Sequence, residues 1–264
     1  MEHIKFSFSK YFFPLIVLAL YLFLYIPMLV MVLFSFSTSE FNFSWSSLSL
    51  QWYHELFASV EIWDALKNSL IVAISSVILS LTMGILLVFY SGHSRFFNKA
   101  FLLFYGNLAV PEIVLAVGML SFFVFFSVPM GLTTLIAGHT LIGLGYVVPI
   151  IYSRFIELDD KYTEASLDLG ASQGQTLFKI ILPLLWPALL AASLLVFIIS
   201  LDDFILSFFC AGASTQTLPM YIFSMIRTGS TPMVSALSAL LLGVSSILVL
   251  IFSSLQVKKT DILR

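Results

Sequence analysis

From Tyr11 to Phe34 the chain runs 24 residues without a charged side chain. As a helix rising about 1.5 Å per residue, such a stretch crosses the roughly 30 Å hydrocarbon core of a bilayer. Five further stretches pass the same length test with at most two charges each, at about 68–90, 100–127, 132–154, 184–209 and 234–256. Composition agrees: 60% of residues are hydrophobic and 10% charged, against about 25% charged in an ordinary soluble domain. Lipid leaves backbone polar groups no partner but the chain itself, so apolar runs of this length fold as helices. The expected fold class is an all-α integral membrane protein with six transmembrane helices, a single domain over 1–264. Six spans and their loops leave no room for a soluble catalytic domain. The fourth stretch is the weakest, because it holds Thr133, Thr134, His139, Thr140 and three glycines.

The first run exceeds the about 7–15 residues of a signal-peptide core and ends in Ser37-Thr38-Ser39-Glu40 without an A-x-A site, so it reads as a retained helix. Basic residues set orientation. With both termini inside, the cytoplasmic segments hold Lys5, Lys10, Arg95, Lys99, Arg154, Lys161, Lys179, Lys258, Lys259 and Arg264, and the outer loops only Lys67 and Arg227. Both termini are therefore expected in the cytoplasm. A net charge of −2 argues against a nucleic-acid partner held by bulk positive charge. Cys210 is alone, which excludes an intrachain disulfide or a Cys-rich metal site.

Three loops are long. The first outer loop, about 35–67, combines Trp45, Trp52 and Tyr53 with four acids and one lysine, and its aromatics suit a membrane interface. The last outer loop, about 210–233, contains Thr217-Leu218-Pro219. The cytoplasmic loop 157–183 reads as two short helices joined at a turn. Asp159 or Asp160 can cap the first helix, which places Glu164 in its first turns, where the macrodipole favours an acid. Gly170 stands where a helix needs a left-handed C′ residue. Ser172 then caps a second helix, with Gln175 completing a capping box, and Pro183 marks a bend or break. Such a unit suits a socket on another protein, although an amphipathic surface hairpin without a partner fits equally well on these grounds.

The same loop resembles the permeases of ABC importers. Their ATPase-docking helix shows Glu-Ala-Ala, three residues, Gly, nine residues, Ile, one residue and Leu-Pro. Here the pattern is Glu164-Ala165-Ser166, Gly170, Ile180 and Leu182-Pro183, with Ser166 for the second alanine as its single departure. Residues 200–243 look like the C-terminal half of spermidine/putrescine-type permeases, and Asn42 to Leu56 resembles their second, PotC-like permease. Permeases for iron, sulfate or molybdate share the docking loop, so a different solute stays open.

Charges inside spans are costly and suggest function. Glu112 follows Pro111 near the middle of the third span, and Asp202 and Asp203 lie in the outer part of the fifth, with no lysine or arginine in either span. Three carboxylates on a central path suit an elongated cation whose ammonium groups need charged partners once desolvated. Alternatively, Glu112 sits hydrogen-bonded at a kink and the aspartates are solvated at a helix end. Neighbouring residues point about 100° apart on a helix, so Asp202 and Asp203 are expected to differ in role. Other leads carry less. Gly170-Ala171-Ser172-Gln173-Gly174 satisfies G-x-S-x-G but lies between helices rather than on a strand-to-helix elbow. His139 reads as a membrane histidine bonded to a neighbouring helix rather than a proton relay. Asn42-Phe43-Ser44 is a sequon, no metal-ligand spacing occurs, and without a Gly-Lys pair there is no P-loop.

The resemblance implies the type I ABC-importer permease fold in the bacterial inner membrane, and no enzyme activity. It implies a second homologous permease subunit, two cytoplasmic ATPase subunits that use the ATP and Mg, and an extracytoplasmic substrate-binding protein, this chain itself holding no cofactor or metal. Its cargo would be a small cation of the polyamine type. Glu112, Asp202 and Asp203 would line the substrate path, and Glu164, Ala165, Ser166, Gly170, Ile180, Leu182 and Pro183 would couple to the ATPase. A secondary transporter is the rival from another class, although the internal repeats usual there are not seen.

Overall fold

The structure is a computed structural model. It describes residues 2–38, 47–91, 94, 101, 104, 106, 109–159, 161–213, 215–229 and 231–262. Asp160, the sequon at Asn42, Trp45 and most of 92–108 lie outside the described residues. In chain order the helices begin with α1 (Glu2–Phe34), α2 (Gln51–Ala58), α3 (Val60–Ser91), α4 (Glu112–Phe125) and α5 (Leu132–Phe155). They continue with α6 (Lys161–Asp168), α7 (Gln173–Thr176), α8 (Leu182–Asp202), α9 (Ile205–Cys210), α10 (Leu218–Thr228) and α11 (Thr231–Ile262). Four helical runs among the described residues have the length and apolarity of a membrane span: Phe12–Phe34, Val60–Tyr90, Leu132–Phe155 and Gln173–Asp202. Glu112–Phe125 and Pro232–Ile247 are shorter apolar helices.

The chain divides into two compact units, Met1–Val60 with Ile222–Arg264, and Glu61–Tyr221. In the first, α11 packs on both α1 and α2. The segment after α1 folds back on itself through an isolated bridge between Ser37 and Leu48. Trp52 is buried there rather than held at an interface, and its indole N–H donates to the Ser37 carbonyl at 2.7 Å. Tyr53 hydrogen-bonds Ser35 at 2.7 Å and packs its ring on Phe36. These two aromatics hold a loop in place, which differs from the interfacial belt expected of them.

In the second unit the weakest expected span, α5, is the most buried of the four long helices. Its low hydropathy follows from that position, because its small and polar residues face protein, not lipid. A Cβ on Gly143 would meet Val196 at 3.0 Å and Ser80 at 3.1 Å, and one on Gly138 would meet Leu206 at 3.0 Å. Missing side chains let the neighbouring helices approach this closely, the usual role of small residues between membrane helices. Around them, Val147, Val148, Ile151 and Phe155 of α5 pack with Leu185, Leu189, Ala192 and Val196 of α8 and with Val88 of α3. A second cluster joins Ala116 and Phe123 of α4 to Leu135, Leu206 and Cys210.

Two expected spans are interrupted. The third breaks at Pro111, which is extended at φ −55°, ψ 134°, so that Glu112 opens α4 instead of standing mid-helix. Proline lacks the N–H for an α-type bond and disfavours helical conformation in the residue before it. The fifth ends at Asp202. Asp203 is extended (φ −69°, ψ 119°), and α9 then begins at Ile205.

The second loop helix is likewise not a separate element. Its residues α7, a π turn over Leu177–Ile181 and α8 form one 30-residue run. The π turn answers Pro183: this residue cannot donate to Lys179, and the Leu182 N–H reaches back five residues to the Leu177 carbonyl. The helix is widened there and not broken.

Candidate functional site

The two interruptions bring the ionisable residues together. Helix α4 packs against α9, which places the Glu112 carboxyl beside the Asp202–Asp203 pair. The sequence of α4, α8 and α9 contains no lysine or arginine to neutralise them.

Their settings differ. Asp203 is 6% exposed and faces the N-terminus of α9. It accepts the Leu206 N–H at 3.2 Å, the Ser207 N–H at 2.8 Å and the Ser207 hydroxyl at 3.0 Å. Those amides have no partner within the helix, so the carboxyl does the work of an N-cap. On its other side lies His139 of α5, with Nε2 3.4 Å from Asp203 Oδ2 and 3.3 Å from Ser207 Oγ. His139 thus bonds to a neighbouring element, as its sequence context suggests. Asp202 and Glu112 are exposed in the chain by itself. Asp202 closes α8, where the negative end of the helix dipole favours a cation, whereas Glu112 opens α4, where the positive end favours the carboxylate. Discontinuous helices carrying charge at membrane depth are how many transporters build ion and substrate sites. The sequence gives no cue to Ser207 or to the link from His139 to Asp203, because both depend on where the fifth span breaks.

The 157–183 hairpin follows its caps. Asp159 accepts the Lys161 N–H at 3.0 Å, and Glu164 lies in the first turn of α6. Gly170 adopts φ +84°. Its N–H reaches the Leu167 carbonyl at 2.9 Å and that of Ala171 reaches Ser166 at 3.1 Å, the paired bonds of a Schellman motif. Ser172 and Gln175 form the reciprocal capping box, at 2.8 and 3.3 Å. Ala165, Ser166 and Ile180 line a shallow pocket with Asp159, Tyr162 and Leu169. Leu182 and Pro183 follow the π turn. The Ser166 hydroxyl lies 2.8 Å from that of Thr176, a buried contact that a serine-for-alanine departure in a linear pattern does not announce.

Helices of membrane length, two of the spans interrupted at charged residues, and a capped hairpin between spans define a multi-pass membrane transport protein. Residues 76–260 match the family described as binding-protein-dependent transport system inner membrane component, and the chain belongs to that family. It is 36% identical over 215 residues to the spermidine/putrescine transport system permease protein PotC of Haemophilus influenzae, covering 81% of this chain and 83% of that one. It is 33% identical over 205 residues to the putrescine transport system permease protein PotI of Escherichia coli K12, covering 74% and 73%. In fold it resembles a chain from a bacterial ABC transporter involved in the import of the acidic polysaccharide alginate. The TM-score is 0.71 over 95% of this chain and 96% of that one, at 14% identity. The fold is that of an ABC-importer permease, and the family's business is transport, not catalysis.

Proposed function

We propose that this chain is one permease subunit of an ATP-driven importer of polyamines, spermidine or putrescine, in a bacterial inner membrane. The observation that carries the reading is the sustained similarity, 33–36% identity over about three quarters of the chain or more, to permeases named for those two solutes. In this reading six helices with both termini cytoplasmic form half of a translocation path. A second homologous permease supplies the other half. Two ATPase subunits bind the hairpin around Glu164–Pro183 and use the ATP and Mg, and an extracytoplasmic binding protein delivers the cargo.

The carboxyl geometry supports a cationic cargo. A polyamine sheds water from its ammonium groups as it enters, and each then needs a charged acceptor. Asp202 and Glu112 are the groups available for that contact, since Asp203 is occupied by the start of α9. Closure of the ATPase pair moves the hairpin, and the bundle alternates between outward- and inward-facing states. The test is ATP-driven uptake of radiolabelled spermidine and putrescine into proteoliposomes holding the assembled transporter. Uptake should vanish with Gly170→Asp and fall with Asp202→Asn while ATP hydrolysis persists. ATP-dependent uptake of an anion, metal or sugar, with none of either polyamine, would reject the cargo.

A further inference from the structure

The hairpin reaches the rest of its unit through very few buried side chains. Within α6 the buried residue is Ser166, and within α7 it is Thr176. Tyr162, Leu167 and Leu169 are exposed, the last at 89%. The two buried residues bond to each other: Ser166 Oγ and Thr176 Oγ1 are 2.8 Å apart. Thr176 Oγ1 also donates to the Ser172 carbonyl at 3.1 Å. A hydroxyl has one proton, so Ser166 is the donor of the pair. The result is a directed chain from α6 through Thr176 to the backbone that caps α7.

Thr176 is the last residue before the π turn. Leu177 and Ile181 of that turn are buried against Val147, Val148, Ile151 and Phe155 of α5 and Leu185 of α8. A one-turn π segment inside an α-helix is rare and frequently marks a functional site, and packed interfaces switch between discrete arrangements instead of deforming continuously. We propose that the Ser166–Thr176 hydroxyl pair is the positioning link that passes displacement of the hairpin into the π turn and α8. This rests on the reading of 157–183 as the ATPase dock. An alanine at 166 could pack there but could not make the bond. Serine at that position therefore gives this chain a connection that the Glu-Ala-Ala form of the pattern lacks.

The donor assignment makes the two truncations unequal. Ser166→Ala leaves Thr176 bonded to Ser172. Thr176→Val removes that bond as well and strands the Ser166 hydroxyl in a buried site, which costs more than deleting both partners of a pair. The exchange Ser166→Thr/Thr176→Ser keeps both hydroxyls and the summed volume.

The experiment is amide hydrogen exchange on the transporter purified with its ATPase subunits, with and without a non-hydrolysable ATP analogue. In the wild type, nucleotide should alter exchange over both 161–170 and 177–190. In Thr176→Val the change over 161–170 should remain, and that over 177–190 should shrink about fivefold or more, with a smaller loss, about threefold, in Ser166→Ala. The exchanged pair should restore it. An undiminished response over 177–190 in Thr176→Val overturns the link, as does loss of the response over both segments or failure of the exchanged pair to restore it. If the wild type retains no ATPase and shows no response in either segment, the docking reading itself fails and the link falls with it.

Discussion

The two adjacent aspartates offer a sharp test, because helical spacing sets them apart and the structure shows which is buried and which exposed. Asp203→Ala removes the acceptor for two amides and a hydroxyl at 2.8–3.2 Å. Leu206 and Ser207, which own those donors, are 0% and 1% exposed, so water does not replace the lost oxygen atoms. Each buried donor left unpaired costs about 1–3 kcal/mol. The Ser207 hydroxyl can turn to another partner, and His139 Nε2 at 3.3 Å is near enough to be one. Two stranded amides and one partly rescued hydroxyl give about 3–4 kcal/mol. In a chain this size about 1 kcal/mol shifts Tm by about 2–4 °C, so the variant should melt about 6–16 °C lower. Asp202 is exposed, and Asp202→Ala should stay within about 0.5 kcal/mol, or 2 °C. The assay is thermal unfolding of the detergent-solubilised protein, followed by the fluorescence of its four tryptophans. Equal shifts for the two variants, or a larger one for Asp202→Ala, would refute the assignment of Asp203 as the cap and of Asp202 as the free carboxyl.

Two further outcomes follow from glycine positions. Gly170→Ala adds a methyl group with no atom within 4 Å, so only the φ of +84° resists it. The expected cost is about 1–2 kcal/mol, seen as faster proteolysis or exchange of the hairpin with no change in global Tm. Gly84→Ala would place Cβ 2.6 Å from Val147 Cγ1, whereas a Cβ on Gly118 meets nothing within 4 Å. Gly84→Ala should therefore lose about 1–3 kcal/mol by overpacking α3 on α5, and Gly118→Ala should gain a few tenths from helix propensity. Matching Tm values for these two would discredit the packing argument.

Local chemistry made the hairpin legible. A cap involves residues two or three apart, so Asp159, Gly170, Ser172 and Gln175 could be read in order along the chain. The α5 helix could be suspected but not explained, since its threonines, histidine and glycines lower its apolarity for a reason that lies on other helices. The interruption at Asp203 was invisible. No proline or glycine falls between Leu190 and Ala211, and the break depends on a side chain turning onto amides three and four residues ahead. Pro111 did announce a disturbance, but a kinked and a broken helix share the same letters. What decides between them is the packing of α4 on α9, an element about 90 residues further along the chain.

The π turn has a consequence for chain length. Its five residues, Leu177–Ile181, hold one more than an α turn would use, and one residue is about 100° of rotation. Everything beyond it is therefore set to a different angular phase from a plain helix started at Gln173. The stripe Leu185, Leu189, Ala192 and Val196 meets α5 only in that phase, and Asp202 takes its bearing from it as well. Losing one residue between Leu177 and Ile181 would therefore restore a plain α turn and leave the stripe facing α5, whereas losing one from the plain α stretch between Leu182 and Leu185 would act as a frameshift in space. In that second case the helix would remain intact, yet its buried stripe would swing away from α5, and the carboxyl some 20 residues on would point at a different neighbour.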